Sequence, residues 1–142
     1  MILLDVNVLV YAHRREAPEH KAVLAWLEAT AGSETPFALS ELALAAFVRI
    51  VTNPRIFKVP STLDQALAFV ERLRGRPGVA LIWPGARHWE IFTRLCREAD
   101  AKGGLVSDAY FAALAIESGC TFITADRDYA RFPGLRWRHP LE

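Results

Sequence analysis

Four carboxylates, Asp5, Glu41, Asp108 and Asp126, stand inside or at the end of apolar runs: Ile2-Leu3-Leu4-Asp5, Leu39-Ser40-Glu41-Leu42, Val106-Ser107-Asp108-Ala109 and Phe122-Ile123-Thr124-Ala125-Asp126. An ionised carboxylate drawn out of water costs several kcal/mol unless a positive group meets it. One such acid is readily paired with an arginine. Four in comparable places point to a shared cation. A cluster of Asp and Glu without His or Cys ligands suits a hard divalent ion such as Mg²⁺ or Mn²⁺. Such an ion suits phosphodiester hydrolysis, where it activates water and neutralises the attacked phosphate. Each acid alone has an ordinary alternative as a strand end, a helix start or a turn residue. The set carries the inference.

The elements that must position these acids alternate between strand and helix. Ile2 to Asp5 reads as a strand, and Val8 to Ala12 as one or two helical turns. Glu19 to Ala31 has helical spacing and ends at Gly32-Ser33. Phe37 to Leu39 is a second strand, after which Ser40 is expected to cap a helix over Glu41 to Val51, stopped by Asn53-Pro54. Ser61-Thr62-Leu63-Asp64 resembles a capping box for a helix to Leu73. A third strand follows over Val79 to Trp83, then an amphipathic helix over His88 to Asp100 with Trp89, Phe92 and Cys96 on its apolar face. Ser107 to Glu117 is a helix stopped by Gly119, Thr121 to Thr124 a fourth strand and Leu135 to Arg138 a fifth. Strands separated by helices of this length predict a parallel sheet covered on both faces. Sites in such sheets form outside the carboxyl ends of the strands, so the four acids are expected to converge there.

A chain of 142 residues with 52% hydrophobic and 23% charged residues fits one globular domain. No apolar run approaches the roughly 18 residues of a membrane span, so a cytoplasmic location is expected. Cys96 and Cys120 show no paired spacing and read as buried free thiols. His13, His20, His88 and His139 lie outside the acid motifs and read as structural or surface groups. The four Trp are spaced mostly as core residues. Net charge is only +1, but the cations are fourteen Arg against three Lys, and Arg is the better bidentate phosphate ligand.

With these residues in view, a family resemblance emerges. Asp5-Val6-Asn7 after an N-terminal apolar strand resembles the opening signature of PIN-domain nucleases, and Ser40-Glu41, Ser107-Asp108-Ala109 and Thr124-Ala125-Asp126-Arg127-Asp128 resemble the later motifs in order. The segments Thr52 to Phe57, Pro84 to Trp89 and Ala130 to Trp137 are similar to those of VapC toxins, mycobacterial ones in particular. The resemblance runs from Met1 to about Leu141. It implies a single PIN domain over residues 1–142, an α/β fold built as a PIN-like three-layer α/β/α sandwich around a central, mostly parallel five-stranded sheet. It also implies a Mg²⁺- or Mn²⁺-dependent endoribonuclease acting as a toxin, a VapB-type antitoxin and toxin homodimers. Carried over by position, the metal-binding and catalytic acids are Asp5, Glu41, Asp108 and Asp126. Asn7 supports them, and Thr124 offers its hydroxyl to metal-bound water or to a neighbouring carboxylate. Asp128 either joins the site or caps the turn before Tyr129.

Arg14, Arg15 and Arg127 are the candidate RNA contacts, Arg127 being alternatively a neutraliser of Asp126. Antitoxin docking is expected at Ala45-Ala46-Phe47 or Ile56 to Pro60, with core packing as the competing role. Two other functions remain to be weighed. A haloacid dehalogenase-type phosphatase needs a second acid two residues after the first, where this chain has Asn7. A catalytically silent PIN-like binding module would not need four acids. No G-x-G-x-x-G follows the first strand, which disfavours dinucleotide binding.

Overall fold

The first strand, β1 (Ile2–Leu4), is wholly apolar and lies in the middle of the sheet, where both of its faces are covered. The computed structural model describes residues 1–142. From β1 the chain runs through α1 (Val6–His13), α2 (His20–Ala31), β2 (Phe37–Ser40), α3 (Glu41–Val51), α4 (Leu63–Arg74), β3 (Val79–Ile82), α5 (His88–Glu98), α6 (Gly104–Ser118) and β4 (Thr121–Ile123). A 3₁₀ turn (Arg127–Arg131) then leads to β5 (Trp137–Arg138).

The strands order β3-β2-β1-β4-β5, and every pairing is parallel. The chain therefore builds outward from β1 to β3, then returns to lay β4 against the other side of β1. The strand order reverses between β1 and β4, and their carboxyl ends flank the crevice that such a reversal leaves. Leu4 pairs with Ile123 in register, so Asp5 and Thr124 emerge side by side.

Alternation along the strands divides the core into two layers. Leu4, Phe37, Leu39 and Ile123 pack against α1, α2, α3 and α4 together with Val8, Val23, Phe47 and Val70. Leu3, Ala38 and Phe122 face the opposite way, into Ile91, Leu95 and the alanines of α6. Phe47 and Phe122 are fully buried, and truncating either to Ala should remove about 3–5 kcal/mol. The three-layer sandwich read from the sequence is thus present, with its sheet parallel throughout.

Several local expectations change. The capping box is formed one residue later than expected, by Thr62 and Gln65: Gln65 N donates to Thr62 Oγ1, and Thr62 N donates to Gln65 Oε1. Ser61 instead turns inward to His13 and Arg14. Ser40 occupies the position before α3, but its side chain makes no capping bond. Helix α6 starts at Gly104, a turn earlier than expected, which moves Asp108 off the helix start. On α5 the buried face is His88, Ile91 and Leu95; Trp89 is 69% exposed and Trp83 58% exposed, so these two Trp are not core residues. Gly119 does stop α6, in the left-handed conformation that only glycine takes without strain (φ 70°).

Candidate active site

Asp5 is the residue at which β1 becomes α1. Its backbone remains extended, its own N–H donates to Ile123 O at 2.9 Å, and its Oδ1 accepts from Val6 N at 2.7 Å. A short polar residue suits that junction because its carboxylate can cap a helix whose first N–H groups lack partners. The side chain is nearly buried, at 5% exposed. Burial pushes its pKa up to about 6, against the bonds from Thr124 and Val6, and the nearby Asp108 and Asp126 add to the rise.

Thr124 fixes the second oxygen of Asp5. Its hydroxyl donates to Asp5 Oδ2 at 2.7 Å, while the same oxygen accepts from Asn7 Nδ2 at 3.2 Å and from Asp126 N at 3.0 Å. A hydroxyl carries one proton. With both incoming bonds in place, that proton is committed to Asp5, so of its two expected partners Thr124 serves the carboxylate. Asn7 completes the link by accepting from Ala125 N at 3.1 Å. Asp126 then caps the 3₁₀ turn, its Oδ1 accepting from Asp128 N at 2.9 Å. The turn's cap is therefore Asp126, and Asp128 sits exposed in its first turn.

Asp108 faces the same cleft from the second turn of α6. Tyr129, 2% exposed, donates its hydroxyl to Asp108 Oδ1 at 3.3 Å. Burial first, then the field of Asp126, raises the Asp108 pKa; the Tyr129 bond works against that rise. Burial and the surrounding acids in turn hold the Tyr129 phenol far above its usual range, so it stays a donor. The cleft, about 340 Å³, is lined by Asp5, Asn7, Asp108, Asp126 and Tyr129, with Ala46 and Arg49 from α3. Arg49 is its one cation.

Glu41 is not brought into the cleft. It is exposed, accepts from Arg74 Nη2 at 3.2 Å and lines a different recess with Leu67 and Val70. The reason is helical phase: Ala46 lies five residues on, about 140° around the helix at 100° per residue. Starting at the correct sheet edge did not place Glu41 on the correct helix face. Nor does Arg127 neutralise Asp126; it pairs with Glu142 at 2.7 Å. Arg14 is held by Glu16, Val59 O, Ser61 and the ring of Phe57, and Arg15 lies exposed beside it. The histidines are structural as expected: His88 donates to Tyr110 O, His20 to Tyr11 O, His13 meets Ser61, and His139 faces Glu19.

No ion pair reaches Asp5, Asp108 or Asp126. Asp108 and Asp126 both add to the rise of the nearly buried Asp5, no ion pair neutralises any of the three, and this donor set fits a hard divalent cation. They do not close into a tight cage, since no three acidic, histidine or cysteine side chains stand close enough to enclose one ion. An open site of this kind suits an ion that retains several of its waters, as Mg²⁺ does.

Residues 2–135 match the family model described as "PIN domain". The chain is 44% identical over 142 residues to Ribonuclease VapC43 of Mycobacterium tuberculosis, covering 100% of this chain and 97% of that protein. The chain belongs to the VapC family of PIN-domain proteins. A second relative within the VapC family, Ribonuclease VapC25 of Mycobacterium tuberculosis, is 42% identical over 140 residues and 99% of each chain. The fold matches the structure of VapBC2 from Rickettsia felis bound to a DNA fragment from their promoter, with a TM-score of 0.72 over 98% of each chain and 22% identity.

Within this VapC-family cleft, Tyr129 and Arg49 are the residues the sequence did not single out. Tyr129 follows directly on the acidic turn, and that adjacency was the available signal. Arg49 is three residues past Ala46 on the cleft-facing side of α3. Beside the acid cleft an apolar groove of about 490 Å³ runs between α3 and α6, lined by Leu42, Ala45, Val106, Tyr110 and Phe111, and it shares Ala46, Arg49 and Phe111 with the cleft. Of the expected docking residues on α3, Ala45 and Ala46 line this groove, while Phe47 belongs to the core. No helix is long and apolar enough to cross a membrane.

Proposed function

We propose that the chain is the toxin of a VapBC-type toxin–antitoxin pair and acts as an endoribonuclease dependent on Mg²⁺ or Mn²⁺. Residues 1–142 form one PIN domain in this reading, working in the cytoplasm and as a homodimer. The observation that carries it is the meeting of Asp5, Asp108 and Asp126, none of them in an ion pair, at the β1/β4 switch point.

Asp5, Asp108 and Asp126 are the proposed metal-holding acids; Glu41 stays outside them on another face of α3, where it pairs with Arg74. The divalent ion supplies Lewis acidity and charge neutralisation for hydrolysis of an RNA phosphodiester. Thr124 and the Val6 N–H hold both oxygens of Asp5 in fixed directions, so the carboxylate need not reorganise when it binds. Asn7 and the Asp126 N–H hold Thr124 itself. Tyr129 orients Asp108 through its hydroxyl and stays protonated as it does so. Arg49 supplies the cleft's only fixed positive charge and is placed to meet a non-bridging phosphate oxygen. Asp128, close enough to raise Asp108 electrostatically, adds negative charge at the rim.

A VapB-type antitoxin segment laid in the apolar groove would end beside the acids, where a basic side chain competes with the metal. The test is incubation of the antitoxin-free chain with total cellular RNA and Mg²⁺ or Mn²⁺, followed by sequencing of new 5′ ends. Discrete cuts that vanish with EDTA and with Asp5→Ala are the expected result. Intact RNA with folded, metal-loaded protein overturns the reading.

A further inference from the structure

A nuclease cleft lined by three carboxylates repels the polyanion it is meant to cut, and a net charge of +1 gives no general attraction. Affinity for RNA must therefore come from a local concentration of cations. The largest recess in the molecule, about 1020 Å³, supplies one at the far end of α1 from Asp5, between the Ile56–Val59 loop and α4. Arg14, Arg15, Lys58 and Arg72 line it, against a single carboxylate, Glu16.

These cations divide into two kinds. Arg14 is a fixed part of the wall: it donates to Glu16, to Ser61 Oγ at 3.0 Å and to Val59 O at 2.6 Å, and its guanidinium lies 4.3 Å from the centre of the Phe57 ring. Glu16 is spent on Arg14. Arg15, Lys58 and Arg72 are exposed and take part in no ion pair. The local field is positive enough to act on His13, whose pKa is lowered by burial and then by Arg14 and Arg72. Tyr11 of α1 lines the acid cleft and His13 lines the recess, so one eight-residue helix, about 12 Å long, carries the surface from one to the other.

We propose that this recess is an RNA-binding exosite, in which Arg15, Lys58 and Arg72 hold phosphates of the substrate strand a few nucleotides from the bond being cut. The proposal rests on the ribonuclease reading and extends it to where the substrate lies. Phosphate contacts of this kind position a strand without reading its bases, which leaves base choice to the cleft. Ile56 and Val59, 52% and 75% exposed at the recess edge, offer apolar contact to an unstacked base.

The test replaces Arg15, Lys58 and Arg72 together with Gln, exposed positions where the change leaves the core untouched. Fluorescence anisotropy measures binding of a single-stranded RNA across a salt series, and cleavage is measured on that RNA and on a trinucleotide too short to span cleft and recess. At about 0.7 per phosphate contact, loss of three contacts lowers the slope of log affinity against log salt by about 2. The expected result is that change in slope, with at least about a tenfold loss of kcat/KM confined to the long RNA. Unchanged affinity and salt slope overturn the exosite while leaving the ribonuclease reading intact. Retained RNA affinity with lost binding of an acidic antitoxin segment overturns it in favour of a protein-docking surface. If the unsubstituted chain cuts neither RNA, the ribonuclease reading fails, and the salt slope still decides whether the recess binds phosphate.

Discussion

Thr124 gives its hydroxyl proton to Asp5 across 119 residues of sequence, with 2.7 Å between the oxygens. That bond joins the carboxyl ends of β1 and β4 at the one place where the strand order reverses. Replacing Thr124 with Val keeps the shape and removes the oxygen, which leaves Asp5 Oδ2, Asn7 Nδ2 and Asp126 N without their partner. The fold should lose about 1–3 kcal/mol. Denaturant midpoints check this, with Thr124→Ser expected to restore most of the loss. A Val variant as stable as the parent would contradict the network.

Asp5 sets a pH dependence whose sign changes with the metal. Burial and its acidic neighbours raise its folded pKa to about 6 from the ordinary 3.8. Without metal, its contribution to stability is fully present below the ordinary value and is lost as pH rises through about 6, on the order of 3 kcal/mol in all. A divalent cation needs the ionised form, so stabilisation by Mn²⁺ should grow over the same interval. Melting curves from about pH 5 to about pH 7.5, with and without Mn²⁺, should show both trends, and Asp5→Ala should flatten both. An unflattened profile in that variant would assign the dependence elsewhere.

Tyr129→Phe removes the donor that holds Asp108 down and leaves the ring in the core. Asp108 then protonates more readily, so the acid limb of the pH–activity profile should move to higher pH. Stability should change by about 1 kcal/mol. A profile that stays in place would remove Tyr129 from the site.

Glu41→Gln breaks an exposed pair with Arg74 and nothing in the cleft. Mn²⁺ affinity and RNA cleavage should stay within about threefold of the parent, and stability within about 1 kcal/mol. Loss of Mn²⁺ binding on the scale of Asp5→Ala would mean that Glu41 leaves Arg74 to join the metal.

What the sequence made legible depended on strands more than on helices. Asp5 follows β1 directly and Asp126 comes just beyond β4, after Thr124 and Ala125, and a parallel sheet sends such residues to one edge without further information. Asp108 and Glu41 are on helices, where a sheet-edge argument fixes the end of the helix but leaves its rotation open. Asp108 turned inward from the second turn of α6; Glu41 turned toward Arg74. The same ambiguity affected α5, where Trp89 read as core while His88, Ile91 and Leu95 took that face. Tyr129 stands beside the acidic turn, but its bond to Asp108 on α6 has no mark in local spacing, and neither does the arrival of Arg49 in the cleft from α3. Asn7 and Thr124 were legible through their place in the acidic motifs, and the structure supplies the direction of each hydrogen bond.

In the proposed reading Asp5, Asp108 and Asp126 jointly hold a divalent cation. Electron paramagnetic resonance of Mn²⁺ titrated into the antitoxin-free chain tests it most directly, beside Asp5→Ala, Asp108→Ala and Asp126→Ala, each verified as folded. Saturable Mn²⁺ binding in the parent, weakened at least about tenfold in every variant, is the result predicted. Equal binding in the parent and all three variants would mean that these acids do not hold the ion.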